Sequence, residues 1–315
     1  MESTLNTPRE YMVLVTDVAP AWRISPQGAH KFIRENNFRP HIVGKRAYLS
    51  AEDARAAMQA RGIVFRPQTI CLQMLKGGVG KTTTALNVGI RASMYGARVL
   101  LIDLDQQANL SFSFGIEDEQ REVWADVLEG KCSAEELVHE VTPNLHIVPS
   151  NLNNSVLDKI LLNGKRNVAQ GIRQPLAPIR DNYELILVDT APNLSAINTA
   201  AACASDTVLL PVNPDKFSFD GLSKTLADLD DIRREFGHEF ETKVIFTKFD
   251  ARETSSHALL KACFAEYGDI MLNSFVRTSA EFKNVIRSGY SIFSHKGSAK
   301  EDYDTVTREL LGLAN

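Results

Sequence analysis

Cysteine is scarce and scattered. Cys71, Cys132, Cys203 and Cys263 stand singly, with no pair near the spacing of a metal knuckle. That pattern argues against an iron–sulfur or zinc cluster, and against a disulfide framework in a chain of 315 residues. Long apolar runs are missing too: none approaches the ~20 residues needed to span a bilayer. The opening MESTLNTPREYMVLV lacks a basic flank, a long apolar stretch and a small-residue cleavage site, so it does not read as a secretion signal. There is no internal repeat and no low-complexity tract. The expected address is the cytoplasm. Charge of one sign is nearly balanced, at a net −4, but it is unevenly spread. Residues 1–66 hold 10 Lys and Arg against 6 Asp and Glu; the remainder holds 25 against 33. A basic segment on an acidic body suggests a nucleic-acid module, although an excess this small is also ordinary surface variation. Any contact of the acidic body with DNA has to come from a local patch.

Hydrophobic content of 44% and charged content of 23% fit a folded chain. The chain divides near Phe65-Arg66-Pro67, giving an expected N-terminal unit at 1–66 and a larger one at 67–315. After the divide, short apolar runs alternate with helical spacing: Ile70–Met74, Val99–Ile102, Leu145–Val148, Leu185–Val188, Thr207–Leu210 and Lys243–Phe246. Near-continuous apolar strands between helices predict an α/β fold, a mostly parallel sheet covered on both faces. Asp105, Asp189 and the loop after Val212 then fall at carboxyl ends of strands, where such sheets bind ligands.

The segment Leu75-Lys76-Gly77-Gly78-Val79-Gly80-Lys81-Thr82-Thr83 follows the first of these strands and opens a helix running to about Tyr95, with Gly96 closing it. That is the context of a phosphate-binding loop. Glycines let the backbone turn its N–H groups inward, and the helix N-terminus favours an anion. Lys81 is expected on the β/γ-phosphates of ATP and Thr82 on Mg²⁺. The general pattern GxxxxGK[ST] is not met, because Leu75 stands at its first glycine. The variant with an extra lysine, Lys76, is met, and a plain glycine turn would explain neither lysine. Asp103 and Asp105, two residues apart at a strand end, share a face. Asp189 ends another apolar strand. An aspartate at a strand end is often only a turn former, but beside this loop Asp103 and Asp189 are expected to support the magnesium shell. Asp105 is left to orient or deprotonate the attacking water.

KGGVGKTT, VLLIDLDQQANLS, LILVDTAPN and LLPVNPDKFSFDGL together resemble the ParA/MinD class of deviant Walker ATPases, and most closely the ParA proteins that partition DNA. The resemblance runs from about Gln68 to Asn315. It implies an ATP-dependent sandwich homodimer in which Lys76 crosses to the partner's phosphates, acting like an arginine finger. It also implies nonspecific DNA binding by that dimer and a ParB-like centromere-binding partner, hence a nucleoid-associated protein. Two stretches depart from the family: Asp105-Gln106-Gln107-Ala108-Asn109 lacks the usual proline and glycine, and Asp189-Thr190-Ala191-Pro192-Asn193 replaces Asp-x-Pro-Pro-Ser. Arg252, in Phe249-Asp250-Ala251-Arg252, carries over a family arginine that touches DNA. A second family arginine is missing near Ala280; Lys283 and Arg287, one turn apart on the next helix, are candidate replacements, and a solvated helix face reads the same way.

Residues 16–62 read as a winged helix-turn-helix. Thr16–Ala19 starts a short helix, Trp22–Ser25 makes the turn, and Ser25 caps a second helix. On it Ala29, Phe32 and Ile33 share one face while Gln27, Lys31 and Arg34 share the other, facing a major groove. Phe38 to Leu49 is a β-wing with Gly44-Lys45-Arg46 at its tip, and Ser50 caps a third helix that buries Ala54, Ala57 and Met58. Arg23 departs from the glycine usual in such turns. A small bundle that only packs on the ATPase is the competing reading. Larger plasmid ParA proteins resemble the layout, which implies operator binding and, through it, repression of the chain's own operon. Deleting 1–66 is expected to leave an ATPase that still binds DNA. Two other functions compete: positioning of a protein cargo on the nucleoid, and MinD-like membrane cycling. The latter lacks support because Thr305–Asn315 carries one basic and one acidic residue, too little for a lipid-binding helix.

Overall fold

The computed structural model describes residues 11–164, 167–282, 291–294 and 296–313. Its N-terminal part holds strand β1 (Val13–Leu14), helix α1 (Pro26–Glu35), strands β2 (His41–Val43) and β3 (Arg46–Leu49), and helix α2 (Ala51–Ala60). The three strands form an antiparallel sheet in the order β1-β3-β2. Ser25 Oγ accepts the Gly28 amide at 3.1 Å and Ser50 Oγ the Asp53 amide at 3.1 Å, so both expected caps are in place. Gly44, at φ 63°, turns the β2–β3 hairpin at the expected tip. Residues 16–19 do not form the expected helix. They lie in a run of turns from Val15 to Arg23, with Pro20 breaking any longer helix. Arg23 itself takes φ 55°, the left-handed conformation for which glycine is preferred at such a turn.

The larger part follows as β4 (Gln68–Leu72), α3 (Lys81–Met94), β5 (Val99–Asp103), α4 (Asn109–Ser113), α5 (Trp124–Glu129), β6 (His139–Thr142) and β7 (Leu145–Val148). It continues with α6 (Leu157–Asn163), α7 (Gln170–Arg180), β8 (Leu185–Asp189), α8 (Ala196–Cys203), β9 (Thr207–Val212), α9 (Lys216–Phe236), β10 (Glu241–Phe249), α10 (Thr254–Tyr267), β11 (Met271–Arg277) and α11 (Ser298–Leu310). Eight strands form one sheet in the order β11-β10-β9-β4-β8-β5-β7-β6, parallel except for the β6–β7 pair. All five residues of β5 and of β8 are buried, as expected for central strands covered on both faces.

The two parts share one core. Trp22, Ala29, Leu49 and Met58 belong to the same buried cluster as Tyr95, Leu101 and Tyr303. Trp22 stacks edge-on against Phe32 at 5.2 Å and its indole N–H meets the Met58 sulfur at 3.0 Å. Across the joint, the fully buried Arg91 of α3 pairs with Asp304 of α11 at 2.5 Å and lies 3.5 Å from Asp17. Lys300 pairs with Asp17 at 2.7 Å. Arg55 of α2 reaches Glu184 at 2.7 Å and donates to the Gly96 carbonyl at 2.9 Å. Gly96, at φ 90°, lies so close that a Cβ there would stand 2.5 Å from the Arg55 nitrogen. The apolar side of α11, including Tyr303 and Val306, is buried in this core.

Candidate nucleotide site

Strand β4 delivers the chain to the loop 76–80, and α3 departs from it with Lys81 as its first residue. Gly78 (φ 72°) and Gly80 (φ 98°) take the left-handed turns that wrap the loop, with open space beyond Gly78 where a ligand can approach. Val79 faces the core, fully buried, while its carbonyl accepts the Thr247 hydroxyl at 2.7 Å. Thr247 also binds the Asn213 side chain at 2.9 Å, and the Lys248 ammonium donates to the Gly78 carbonyl. The loop is thus braced from the carboxyl ends of β9 and β10. Sequence reading missed Thr247 and Lys248. Their signal was present in the last residues of the apolar run after Lys243, at the same sheet edge as the other site residues.

A cleft of about 440 Å³ lies over the loop, bordered by Gly77, Gly78, Gly80, Lys81, Thr82, Thr83, Asp105 and Lys248. Lys81 reaches back so that its Nζ donates to the Met74 carbonyl at 3.3 Å. Burial lowers its pKa, opposed by the charges of Asp189 and Asp105. Lys76 projects elsewhere. Its Nζ pairs with Asp215 at 2.5 Å, donates to Ser218 Oγ at 3.2 Å and lies 6.0 Å from the centre of the exposed Phe217 ring. The two lysines of one loop therefore have separate targets, one inside the cleft and one outside.

Asp103 and Asp189 are paired residues of adjacent strands β5 and β8, both fully buried. Asp189 has no hydrogen-bond partner on either carboxylate oxygen. Burial, then the charge of Asp103, pushes its pKa up to about 8, against the pull of Thr82 and Lys81. A buried carboxylate left unsatisfied beside a phosphate loop is a cation's donor set in waiting. The Thr82 hydroxyl and Asp189 fit Mg²⁺ in that respect. Asp103, unlike Asp189, is hydrogen-bonded on both oxygens. Its Oδ2 accepts the Ser111 amide (2.9 Å) and hydroxyl (2.7 Å), and its Oδ1 the Asp105 amide (3.1 Å). Those bonds fasten the loop 105–111 to the strand. Asp105 is at the cleft rim with Oδ1 accepting the Gln107 amide at 2.9 Å. In the same loop Ala108 occupies φ 52°, the left-handed position that the family fills with glycine.

The remaining expected residues are dispersed. Gln27, Lys31 and Arg34 lie on the exposed face of α1, and Lys45 and Arg46 are exposed at the wing tip. Arg252 is 87% exposed but is clasped by Asp250, at 2.6 and 2.9 Å. Lys283 and Arg287 lie outside the described residues.

Comparison with known proteins agrees with this geometry. The AAA_31 family, an AAA domain, matches residues 67–242. The chromosome partitioning protein ParA of Caulobacter vibrioides is 30% identical over 243 residues, covering 75% of this chain and 91% of that one. Among solved structures, apo McdA from Cyanothece superposes with a TM-score of 0.72 at 23% identity, covering 78% of this chain and 99% of the other. A putative plasmid partition protein from Borrelia burgdorferi bound to AMPPNP gives 0.67 at 20% identity, covering 78% and 99%. With its doubly covered parallel sheet, its two-lysine phosphate loop and these relatives, the chain belongs to the ParA family of P-loop ATPases.

Proposed function

We propose that this protein is an ATP-hydrolysing DNA-partition protein that cycles between a monomer and an ATP-bridged homodimer. The observation that carries this reading is the division of labour between Lys81, buried over the cleft, and Lys76, held outside it by Asp215 and Ser218. ATP enters over the loop 76–83, where backbone N–H groups, Lys81 and Thr83 meet its phosphates. Thr82 and Asp189 would hold Mg²⁺, which would supply positive charge against the phosphates. Asp105 orients the attacking water, and Asp103 keeps Asp105 in place through the loop to Ser111. Lys76 leaves Asp215 and neutralises charge on the partner's phosphates, so dimer formation depends on ATP. The ATP dimer binds nonspecific DNA through a surface that includes Arg252, with Lys283 and Arg287 as further contacts. A ParB-like protein stimulates turnover. The N-terminal unit reads an operator, with Gln27, Lys31 and Arg34 on base edges and Lys45 and Arg46 on phosphates.

Membrane cycling finds no support in α11, whose apolar side is spent in the core, and among the described residues no helix is long and apolar enough to cross a bilayer. The test is nucleotide titration combined with measurement of molecular size. Lys81→Ala should lose ATP binding by a hundredfold or more. Lys76→Ala should keep monomeric binding within a few fold yet fail to dimerise or hydrolyse. Equal loss of binding in both variants would overturn the cross-dimer assignment.

A further inference from the structure

A second cleft, of about 490 Å³, opens where the wing meets the ATPase body. His30 of α1 and Lys45 and Arg46 of the β2–β3 turn form one wall; Lys296 and Lys300, at the start of α11, form the other. Two carboxylates also border it, but both are engaged. Asp17 pairs with Lys300 at 2.7 Å and lies 3.5 Å from Arg91, and Glu301 lies 3.4 Å from Arg277. Lys45, Arg46 and Lys296 form no ion pair among the described residues. Three cations with no ion pair among the described residues, from two parts of a chain of net charge −4, thus converge on one concave surface, with the Glu281 carboxylate packed behind it against Gly297. Like charges brought together repel, and a polyanion relieves that repulsion.

We propose that this cleft grips the phosphate backbone of duplex DNA, so that an operator is held by the wing and the ATPase body together. The duplex is favoured over a small phosphate because the cleft adjoins α1, whose outer face carries Gln27, Lys31 and Arg34. The proposal rests on the operator-reading role of the N-terminal unit. It adds a partner surface on the ATPase, Lys296, that contributes affinity without sequence information. Because the two walls share a core, DNA seated in the cleft contacts a rigid surface rather than a tethered module.

The test uses the full-length protein without nucleotide, so that the surface made by the ATP dimer is absent. Binding to a duplex carrying the region upstream of its gene is followed by fluorescence anisotropy across a salt series. Lys45→Ala and Lys296→Ala should each flatten the slope of log affinity against log salt by about 0.9, one phosphate contact apiece, with Lys296→Arg restoring it. Thermal unfolding confirms that each variant is folded. If Lys45→Ala flattens the slope and Lys296→Ala does not, the wing binds DNA alone and the shared cleft is overturned while operator reading survives. If neither changes it, operator reading by the wing fails and the cleft proposal falls with it. Calorimetry with inorganic pyrophosphate separates the remaining source. Binding of pyrophosphate that needs Lys296, with an unchanged DNA slope, would make the cleft a small-phosphate site and overturn the duplex assignment.

Discussion

Asp189 is a buried acid whose pKa burial and Asp103 lift to about 8, well above its ordinary 3.8. An acid raised on folding favours the native state while protonated, so its contribution is lost as pH rises from 3.8 toward about 8. The nucleotide-free protein should therefore become less stable across that window, and Mg²⁺ binding should strengthen with pH as the carboxylate ionises. Asp189→Asn should raise the unfolding temperature of the nucleotide-free chain while removing hydrolysis. An unchanged pH dependence of unfolding in that variant would place the titration elsewhere. Ala108 offers a second check at this scale. A left-handed alanine costs roughly 1 kcal/mol, so Ala108→Gly should stabilise the chain by up to about that amount in denaturant unfolding, with Asp105 still fastened to Asp103. The sequence showed that a glycine had been lost here. It did not show that the backbone kept the glycine's conformation, because that depends on how Asp103 pulls the loop back through Ser111.

At the scale of elements, the central strands and the phosphate loop were legible because their signals are local: fully apolar runs, glycines beside lysines, a helix closed by Gly96. The edge strands β6 and β11 were not, since β6 buries only its last residue fully and β11 alternates irregularly. The helix expected at 16–19 failed because Pro20 interrupts it and packing of Trp22 dictates the turn. Contacts between distant segments could not be read at all. Arg91 and Asp304 are separated by more than 200 positions yet form the buried pair that ties α3 to α11. Asp304→Ala should leave that guanidinium poorly compensated and cost about 3–5 kcal/mol in denaturant unfolding; a loss below 1 kcal/mol would show that Asp17 and the Tyr95 and Phe293 rings suffice.

The whole molecule behaves as one body more than its sequence suggested. Removing residues 1–66 would strip Trp22, Leu49 and Met58 from a continuous core and take Asp17 from Arg91 and Arg55 from Glu184. The truncated chain should unfold at a markedly lower temperature, so operator reading is better tested by point changes on α1. The joint also has a pH signature. Against a burial that would raise it, hydrogen bonds from Arg55 and Arg98 hold Glu184 down at about 2. The stability this gives is complete above its ordinary 4.5 and drains as pH falls toward about 2, a loss that Glu184→Gln should abolish in acid unfolding curves. Nonspecific DNA binding should need ATP and fall steeply with salt; Arg252→Glu should weaken it on every sequence, and binding indifferent to ATP would sink the dimer-made surface. At Gly96 the backbones of the two parts touch with no clearance for even a methyl group. Neither part can drift in sequence there on its own: a Gly96→Ala change would act as a wedge, parting the N-terminal unit from the end of the phosphate-loop helix without cutting the chain.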